Sequence, residues 1–539
     1  MTLTASLFSL TVGALLLAVV TRVAVPPATW LAFALLLHAT RSMPAASGLP
    51  SLFVASYIAL AIGNRGVIPL TGAAYLSVIA FNSVAITLPF IIDRFFSPRL
   101  GGLAFTLIFP AAFVAVEFFK SRVTPAATWG SIAYTQYGYL PVMQIAALVG
   151  IWGITFAITW FASTAEWAWS RSFDWHVVRV PLLACGGVLG GLVLAGAVRV
   201  AFASTEGTSL RVATLNRPVD LFVPGEMTRI TEGRVRPEEM AQMTTKLTQL
   251  HTWFLDGSRR EARAGARLIA WPEANLLVFR EDEPAFVERA KRVAADEKVY
   301  LAMGIASIQP GAPLPFENKL VIVDPSGTVV VNYLKSHPVT GWEASIMTPG
   351  DGIVPVVATS VGRVASAICF DADFPDFMRQ AGQERADLMI VVANEWKAIK
   401  DLHVQMAAFR AIENGVPLVR PAASGISSAI DPWGRVLAVA DYFAAGDRTM
   451  TAQVPIGHAW TLYPRIGDLF AWSCVVALVV AMGLAASQVL LGSTGFHQVL
   501  QGSFGSTRFS GTTRFERAEP RTNLVEPGRT PQNPVEPFR

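Results

Sequence analysis

Val364-Ala365-Ser366-Ala367-Ile368-Cys369-Phe370-Asp371 is a short run of small and β-branched apolar residues that stops at a thiol and an acid. A run this short, bounded by polar residues, predicts a buried strand with Cys369 closing it. Working outward, similar runs recur at 210–215, 267–271, 299–304, 319–324, 328–334 and 387–393. Helical patterns near 236–263, 283–296, 373–384 and 401–414 separate several of them. Asp324-Pro325-Ser326-Gly327 and Asp431-Pro432-Trp433-Gly434 carry turn chemistry and predict hairpins. Residues 204–466 therefore read as one α/β domain, a mixed sheet covered by helices.

Two further strand ends in this domain carry reactive groups. Trp271-Pro272-Glu273 follows Leu268-Ile269-Ala270, and Lys335 ends the run Val329-Val330-Val331-Asn332-Tyr333-Leu334. Taken singly, each has a plain reading: a glutamate past a strand end caps a helix or forms a turn, a strand-end lysine is a solvated edge residue, and a lone thiol is inert core. Of the three cysteines, Cys185 and Cys474 fall in apolar runs, so the polar domain cannot form an internal disulfide. Taken together, Glu273, Lys335 and Cys369 supply a base, a cation and a nucleophile, which is what acyl transfer through a thioester requires. Seven histidines and no Cys or His pair at ligand spacing predict no metal site.

The flanks of the domain are different material. The chain has 539 residues, 52% hydrophobic and only 15% charged, which is the composition of a membrane protein. Residues 1–203 hold 14 charged side chains, against 43 Lys or Arg and 39 Asp or Glu in the whole chain. Apolar runs near 4–21, 27–40, 50–63, 68–92, 101–119, 139–163, 180–203 and 468–491 predict a helical bundle of about eight spans. The first run lacks a basic start and precedes further spans, so it is expected to be retained rather than cleaved as a signal peptide. The expected organisation is a bundle at 1–203, the polar domain at 204–466, a last span at 467–491 and a disordered tail at 492–539. Seven spans before the domain and one after it place the domain across the membrane from both termini. Basic residues in the short loops are nearly balanced between the two sides. Arg508, Arg514, Arg517 and Arg521 of the tail tip the termini inside. A net charge of +4 spread over this length, with no basic patch interleaved with aromatics, excludes nucleic acid. Glu117 lies within an apolar run, where an acid is either functional or paired with Lys120 at the helix end.

The order Glu273, Lys335, Cys369, with spacings of 62 and 34, resembles the nitrilase superfamily. The motifs behind the resemblance are Trp271-Pro272-Glu273, Tyr333-Leu334-Lys335 and Ile368-Cys369-Phe370-Asp371. Glu343, eight residues past the lysine, corresponds to a second glutamate that orients it. The stretches Gln405–Arg410 and Glu413–Pro417, with Arg420 and Ser424-Gly425, look like the family's helix and following strand. The resemblance implies a four-layer α-β-β-α sandwich and a Glu-Lys-Cys triad. Seven preceding spans, one following span and the loop Trp129–Gly138 resemble the apolipoprotein N-acyltransferase branch. That branch implies an acyl chain passing from a membrane phospholipid, through a cysteine thioester, to the N-terminal amine of a diacylglyceryl-cysteine lipoprotein. It further implies no cofactor, a monomer, and a bacterial plasma membrane location with the catalytic domain periplasmic and the termini cytoplasmic.

The sequence also departs from the family. Thr340-Gly341-Trp342-Glu343 replaces a Pro-Phe-Gly-Glu loop, and Phe370 and Asp371 stand where Tyr and Glu are usual. Leu215-Asn216-Arg217-Pro218 and Asn394-Glu395-Trp396-Lys397 differ as well. Trp342, Phe370, Asp371 and Trp396 are accordingly the candidates for lining the substrate path. Asp371 has a second reading as a cap of the following helix, and both tryptophans as core or interfacial aromatics. His337 and His403 are expected to be non-catalytic. One alternative is a membrane-tethered amidase or nitrilase-type hydrolase with water as acceptor, which would not need so many spans. A silent scaffold is the other, against which the intact triad argues.

Overall fold

The computed structural model describes residues 3–204, 208–217, 226–444 and 448–504, with side chains of the last helix described as far as 487. The chain divides into two compact units, Met1–Ala486 and Ser487–Arg539, and the bundle helices before the domain and both sheets belong to the first. The N-terminal helices are α1 (Leu3–Val20), α2 (Pro26–Ser42), α3 (Ala45–Gly63), α4 (Gly72–Phe96), α5 (Gly102–Val123), the short α6 (Leu140–Met143) and α7 (Ala146–Val149), α8 (Ile151–Ser170) and α9 (Trp175–Ala201). Among the described residues six helical stretches are long and apolar enough to cross a membrane: Leu3–Val20, Ala45–Gly63, Gly72–Arg99, Gly102–Val123, Trp175–Ala201 and Leu469–Ser487.

All eight expected runs are helical, and two differ in kind from the rest. The run at 27–40 forms α2, of only 17 residues. The run at 139–163 is broken by Gly150 at φ +68°, where a Cβ would lie 2.6 Å from the Tyr463 ring. The 20-residue helix that follows, α8, is buried along most of its length, and Thr155, Thr159, Ser163, Thr164 and Glu166 lower its hydropathy. It lies inside the bundle rather than against lipid. Arg41 is held there between Asp93, at 2.7 Å, and Glu166, a buried polar knot joining α2, α4 and α8.

The polar domain adds strands β1 (Ser209–Thr214), β2 (Leu268–Phe279), β3 (Tyr300–Ile308), β4 (Phe316–Val323), β5 (Val329–Leu334), β6 (Val356–Thr359), β7 (Gly362–Ile368), β8 (Leu388–Asn394), β9 (Leu418–Arg420), β10 (Ala422–Ala423), β11 (Ile426–Ile430), β12 (Val436–Asp441) and β13 (Met450–Pro455). Its helices are α10 (Glu226–Thr231), α11 (Pro237–Arg263), α12 (Glu283–Glu297), α13 (Trp342–Ile346), α14 (Pro375–Gln383), α15 (Lys400–Asn414) and α16 (Tyr463–Ile466), with α17 (Leu469–Phe504) after them. The single mixed sheet read from the periodicity is two sheets, ordered β13-β1-β2-β3-β4-β5 and β12-β11-β9-β8-β7-β6, with β10 beside β8. Both expected hairpins form, as β4–β5 and β11–β12. α17 continues past 491, where the tail was expected to begin, and 505–539 lie outside the described residues.

Period-2 alternation sets the layers. In β2, Leu268 and Ala270 face the second sheet, while Ile269 and Trp271 face Phe254 of α11 and Phe286 of α12. On the other side α14 and α15 cover the second sheet, and Phe409, Val391, Trp152 and Phe113 belong to one continuous core shared with the bundle. The result is the four-layer α-β-β-α sandwich resting on the ends of the membrane helices. Polar contacts fix the seat. The backbone N–H of Ile151, at the start of α8, donates to Glu413 Oε1 at 3.1 Å. Trp152 Nε1 donates to Asp468 Oδ1 at 2.7 Å, Arg122 pairs with Asp376 at 2.5 Å and with Asp468, and Arg199 Nη1 donates to the Trp460 carbonyl at 2.6 Å. These contacts lie at the ends of α5 and α9 and the start of α8, so the domain sits at one end of the bundle.

Candidate active site

The three reactive residues come from different strands and from both sheets. Glu273 lies inside β2, not beyond it. The β2–β3 register shifts between Trp271 and Leu276, and Ala274 takes φ +49°. This bulge accommodates Pro272, which has no N–H for the ladder. Gly304 of β3 faces the bulge so closely that a Cβ there would be 2.1 Å from the Pro272 carbonyl oxygen. Lys335 follows β5, and its N–H donates to the carbonyl of Asn318 on β4 at 3.0 Å. Cys369 follows β7 as the first residue of a 3-10 turn, Cys369–Asp373, with φ +48°. A non-glycine residue in that region is strained and is held there by its surroundings.

Closing the sandwich brings the three together. Lys335 Nζ is 2.8 Å from Glu273 Oε1 and 2.9 Å from Glu343 Oε2, and the Cys369 thiol, which donates to the Asn394 carbonyl at 3.6 Å, lies in the electrostatic field of both Glu273 and Lys335. Glu273, Lys335 and Cys369 are 2%, 1% and 6% exposed, so the cluster is nearly dry. Burial, with the Glu273 carboxylate, pushes the Cys369 thiol well above its ordinary range despite the opposing Lys335 and Arg420 cations. The resting cysteine is therefore held as a neutral thiol. Burial also raises Glu273, against the pull of Lys335. Lys335 is held well above its usual value because Glu273, Cys369 and Glu343 outweigh its burial. The arrangement is a lysine cation beside a carboxylate with raised proton affinity, both acting electrostatically on the Cys369 thiol. Glu343, on α13, also accepts from the Val339 N–H at 2.8 Å and so ties the altered loop to the lysine.

The other expected residues flank these groups, and none of them makes a described hydrogen bond to Glu273, Lys335 or Cys369. Asp371 is fully buried behind Cys369 and is not in a position to line a path. It accepts from Tyr333 Oη at 2.7 Å, His337 N–H at 2.8 Å and Ile368 N–H at 3.1 Å, with the His337 ring at 2.9 Å. It thus joins the lysine strand to the nucleophile strand. Phe370 packs edge-on against Phe374 at 5.3 Å. Trp342 is 49% exposed and Trp396 38% exposed, the latter donating to the Gly66 carbonyl in the α3–α4 loop at 2.9 Å. Glu117 is not paired directly with Lys120. It accepts from Ser131 Oγ, Ile132 N–H and Thr155 Oγ1 at 2.9, 3.0 and 2.7 Å, pinning the Trp129–Gly138 loop to the bundle.

One group escaped the sequence reading, and a second was met there only as separate residues. Asn318 Nδ2 donates to Glu273 Oε1 at 2.7 Å. Its signal was a polar residue in the inward phase of β4, between Phe316 and Leu320. Around His403, Nδ1 meets Glu395 Oε1 at 2.8 Å and Nε2 meets Asp373 Oδ1 at 3.0 Å, with Arg420 also paired to Glu395. Burial opposes charging of His403, yet Asp373 and Glu395 raise it to about 9. No local motif marked this quartet, whose members are spread over four segments.

Two family models match the two parts of the chain. The apolipoprotein N-acyltransferase N-terminal domain matches residues 12–164, and the carbon-nitrogen hydrolase family matches residues 238–459. An apolipoprotein N-acyltransferase of Geobacter metallireducens is 27% identical over 413 residues, covering 71% of this chain and 75% of the relative. One from Bradyrhizobium diazoefficiens is 26% identical over 449 residues, covering 77% and 79%. Among solved structures, an amidase from Nesterenkonia sp. is 18% identical, covering 50% of this chain and 97% of its own, with a TM-score of 0.39. The two matched domains follow one another in the order of the bundle and the sandwich, and along both parts the chain resembles the apolipoprotein N-acyltransferases of the carbon-nitrogen hydrolase superfamily.

Proposed function

We propose that the chain is a phospholipid-dependent apolipoprotein N-acyltransferase, with Cys369 as nucleophile, Glu273 as base and Lys335 as oxyanion cation. The observation that carries this reading is the buried Glu273–Lys335–Cys369 cluster on a sandwich seated on apolar helices. In the first half-reaction Cys369 gives its proton to Glu273 as sulfur attacks the ester carbonyl of a phospholipid. The oxyanion rests on Lys335 Nζ and a backbone N–H. The carbon–oxygen bond breaks, the lysophospholipid oxygen takes the proton back from Glu273, and a thioester remains. In the second, the α-amine of a diacylglyceryl-cysteine attacks the thioester and Glu273 moves the amine proton to the departing sulfur. Neither step consumes a soluble cofactor, because the ester and the thioester are already activated.

Glu343 orients the lysine, and Trp342, Phe370 and Trp396 form the rim where lipid enters. The bundle at 1–203 and the span at 467–491 anchor the domain at 204–466, which faces the periplasmic side of a bacterial plasma membrane with the termini cytoplasmic. The protein acts as a monomer. The test incubates purified protein with phospholipid labelled in its acyl chain, with and without a diacylglyceryl-cysteinyl peptide. The expected result is label on the peptide amine and none in a Cys369→Ala protein. Label released to water at the same rate with or without peptide would instead identify a hydrolase.

A further inference from the structure

The strained turn that carries Cys369 is held at its far end by the membrane bundle. Thr128, in the loop after α5, donates from Oγ1 to the carbonyl of Asp373 at 2.8 Å. Asp373 is the last residue of the 3-10 turn that begins at Cys369. The same hydroxyl lies 2.7 Å from Tyr134 Oη, which in turn accepts from Arg410 Nη2 at 3.2 Å, so Thr128 is fixed from both sides. Beside it, the Trp129 ring packs edge-on against His403 at 5.5 Å. His403 joins the Asp373 carboxylate to Glu395, and the residue before Glu395, Asn394, accepts from the Cys369 thiol at 3.6 Å. The contacts close a loop from the bundle to the end of the turn, through His403 to the end of β8, and back to the sulfur.

A positive φ at Cys369 persists only where neighbours over-determine it. At the start of the turn that task falls to the Ile368 N–H, which donates to Asp371 Oδ2 at 3.1 Å. At its end, the one direct hydrogen bond from the bundle among those described is that of Thr128. We propose that Thr128 is a positioning residue for the nucleophile: the bundle holds the turn that aims Cys369 at Glu273, in addition to admitting lipid. The inference rests on Cys369 being the nucleophile.

The test separates positioning from lipid binding with an electrophile that has no lipid. Full-length protein in detergent is treated with iodoacetamide, and Cys369 alkylation is followed by peptide mass spectrometry with Cys185 and Cys474 as internal references. Thr128→Val is expected to slow alkylation of Cys369 at least about tenfold, since displacements of an ångström cost reactive pairs that much or more. Thr128→Ser, which keeps the hydroxyl, is expected to react within about twofold of the parent, and the KM for phospholipid is expected to stay the same in both. Thr128→Ala repeats the measurement without the added methyl should the valine protein fail to fold. Alkylation at the parental rate in Thr128→Ala or Thr128→Val, with acyl transfer lost through a raised phospholipid KM, would overturn the inference alone. A parent protein whose Cys369 is inert to iodoacetamide would overturn the nucleophile reading as well.

Discussion

At Glu273 a single oxygen is claimed twice, since Lys335 Nζ and Asn318 Nδ2 both donate to Oε1. Two donors on one oxygen restrain the carboxylate, which in the proposed mechanism takes the Cys369 proton. Replacing Asn318 with Ala is expected to slow thioester formation about 100-fold, the scale of a misplaced catalytic group, while leaving the phospholipid KM near its parental value. Rapid-quench measurement of acyl-enzyme checks it. Because burial holds Glu273 above its ordinary 4.5 and the base must be ionised to act, the rate of thioester formation is expected to fall as pH drops through a value above 4.5. No alkaline loss should follow from Lys335, whose proton is held above its usual range. An acid limb at or below 4.5 would contradict the assignment of the base. The cluster of Glu273, Lys335 and Cys369 was legible in sequence because each member ends or interrupts a short apolar run. Asn318 was not, because one polar residue in a strand has no meaning until its partner across the sheet is known.

The β2–β3 pair shows what pattern reading misses at the next scale. Pro272 made the strand read as ending at Trp271, but the ladder resumes at Leu276 after a bulge, and that bulge is where Glu273 stands. Gly304 is the complementary requirement, as only a hydrogen fits against the Pro272 carbonyl and the Glu273 Cα. Gly304→Ala is expected to destabilise the fold by about 1–3 kcal/mol through overpacking and to cut acyl transfer more than 10-fold by moving Glu273. Thermal unfolding in detergent and an activity assay report the two effects separately. The same limit applies to the run at 139–163, where apolar content concealed the break at Gly150. Tyr463, more than 300 residues away, packs against that glycine. Strands β9 to β13 are short and went unread for the most part, although the turn chemistry at Asp431–Gly434 located one hairpin among them.

Across the whole molecule, the uneven charge of the sequence corresponds to a physical division between an apolar bundle and a polar sandwich. The boundary between them is neither polar nor apolar alone. A shared core runs through it, and Asp468 accepts there from Trp152 and Tyr463 while pairing with Arg122. Asp468→Ala leaves those donors unsatisfied and is expected to cost about 2–4 kcal/mol, read as a lowered unfolding midpoint in detergent. An unchanged midpoint would show that the seat depends on the apolar core alone. Hydropathy predicted about eight spans where six described helices are long and apolar enough to cross a membrane, and it could not distinguish helices that face lipid from α8, which is wrapped by the others. That distinction arises only from packing.

The account stands on Cys369 carrying the acyl chain between two lipids, and a single-turnover chase tests it most directly. Protein is loaded from labelled phospholipid, freed of excess lipid, and mixed with a diacylglyceryl-cysteinyl peptide. The account predicts that hydroxylamine-labile label leaves Cys369 in one exponential phase and reappears in equal amount on the peptide amine. Label that stays on the protein, or a peptide that is acylated only while phospholipid remains present, would contradict it.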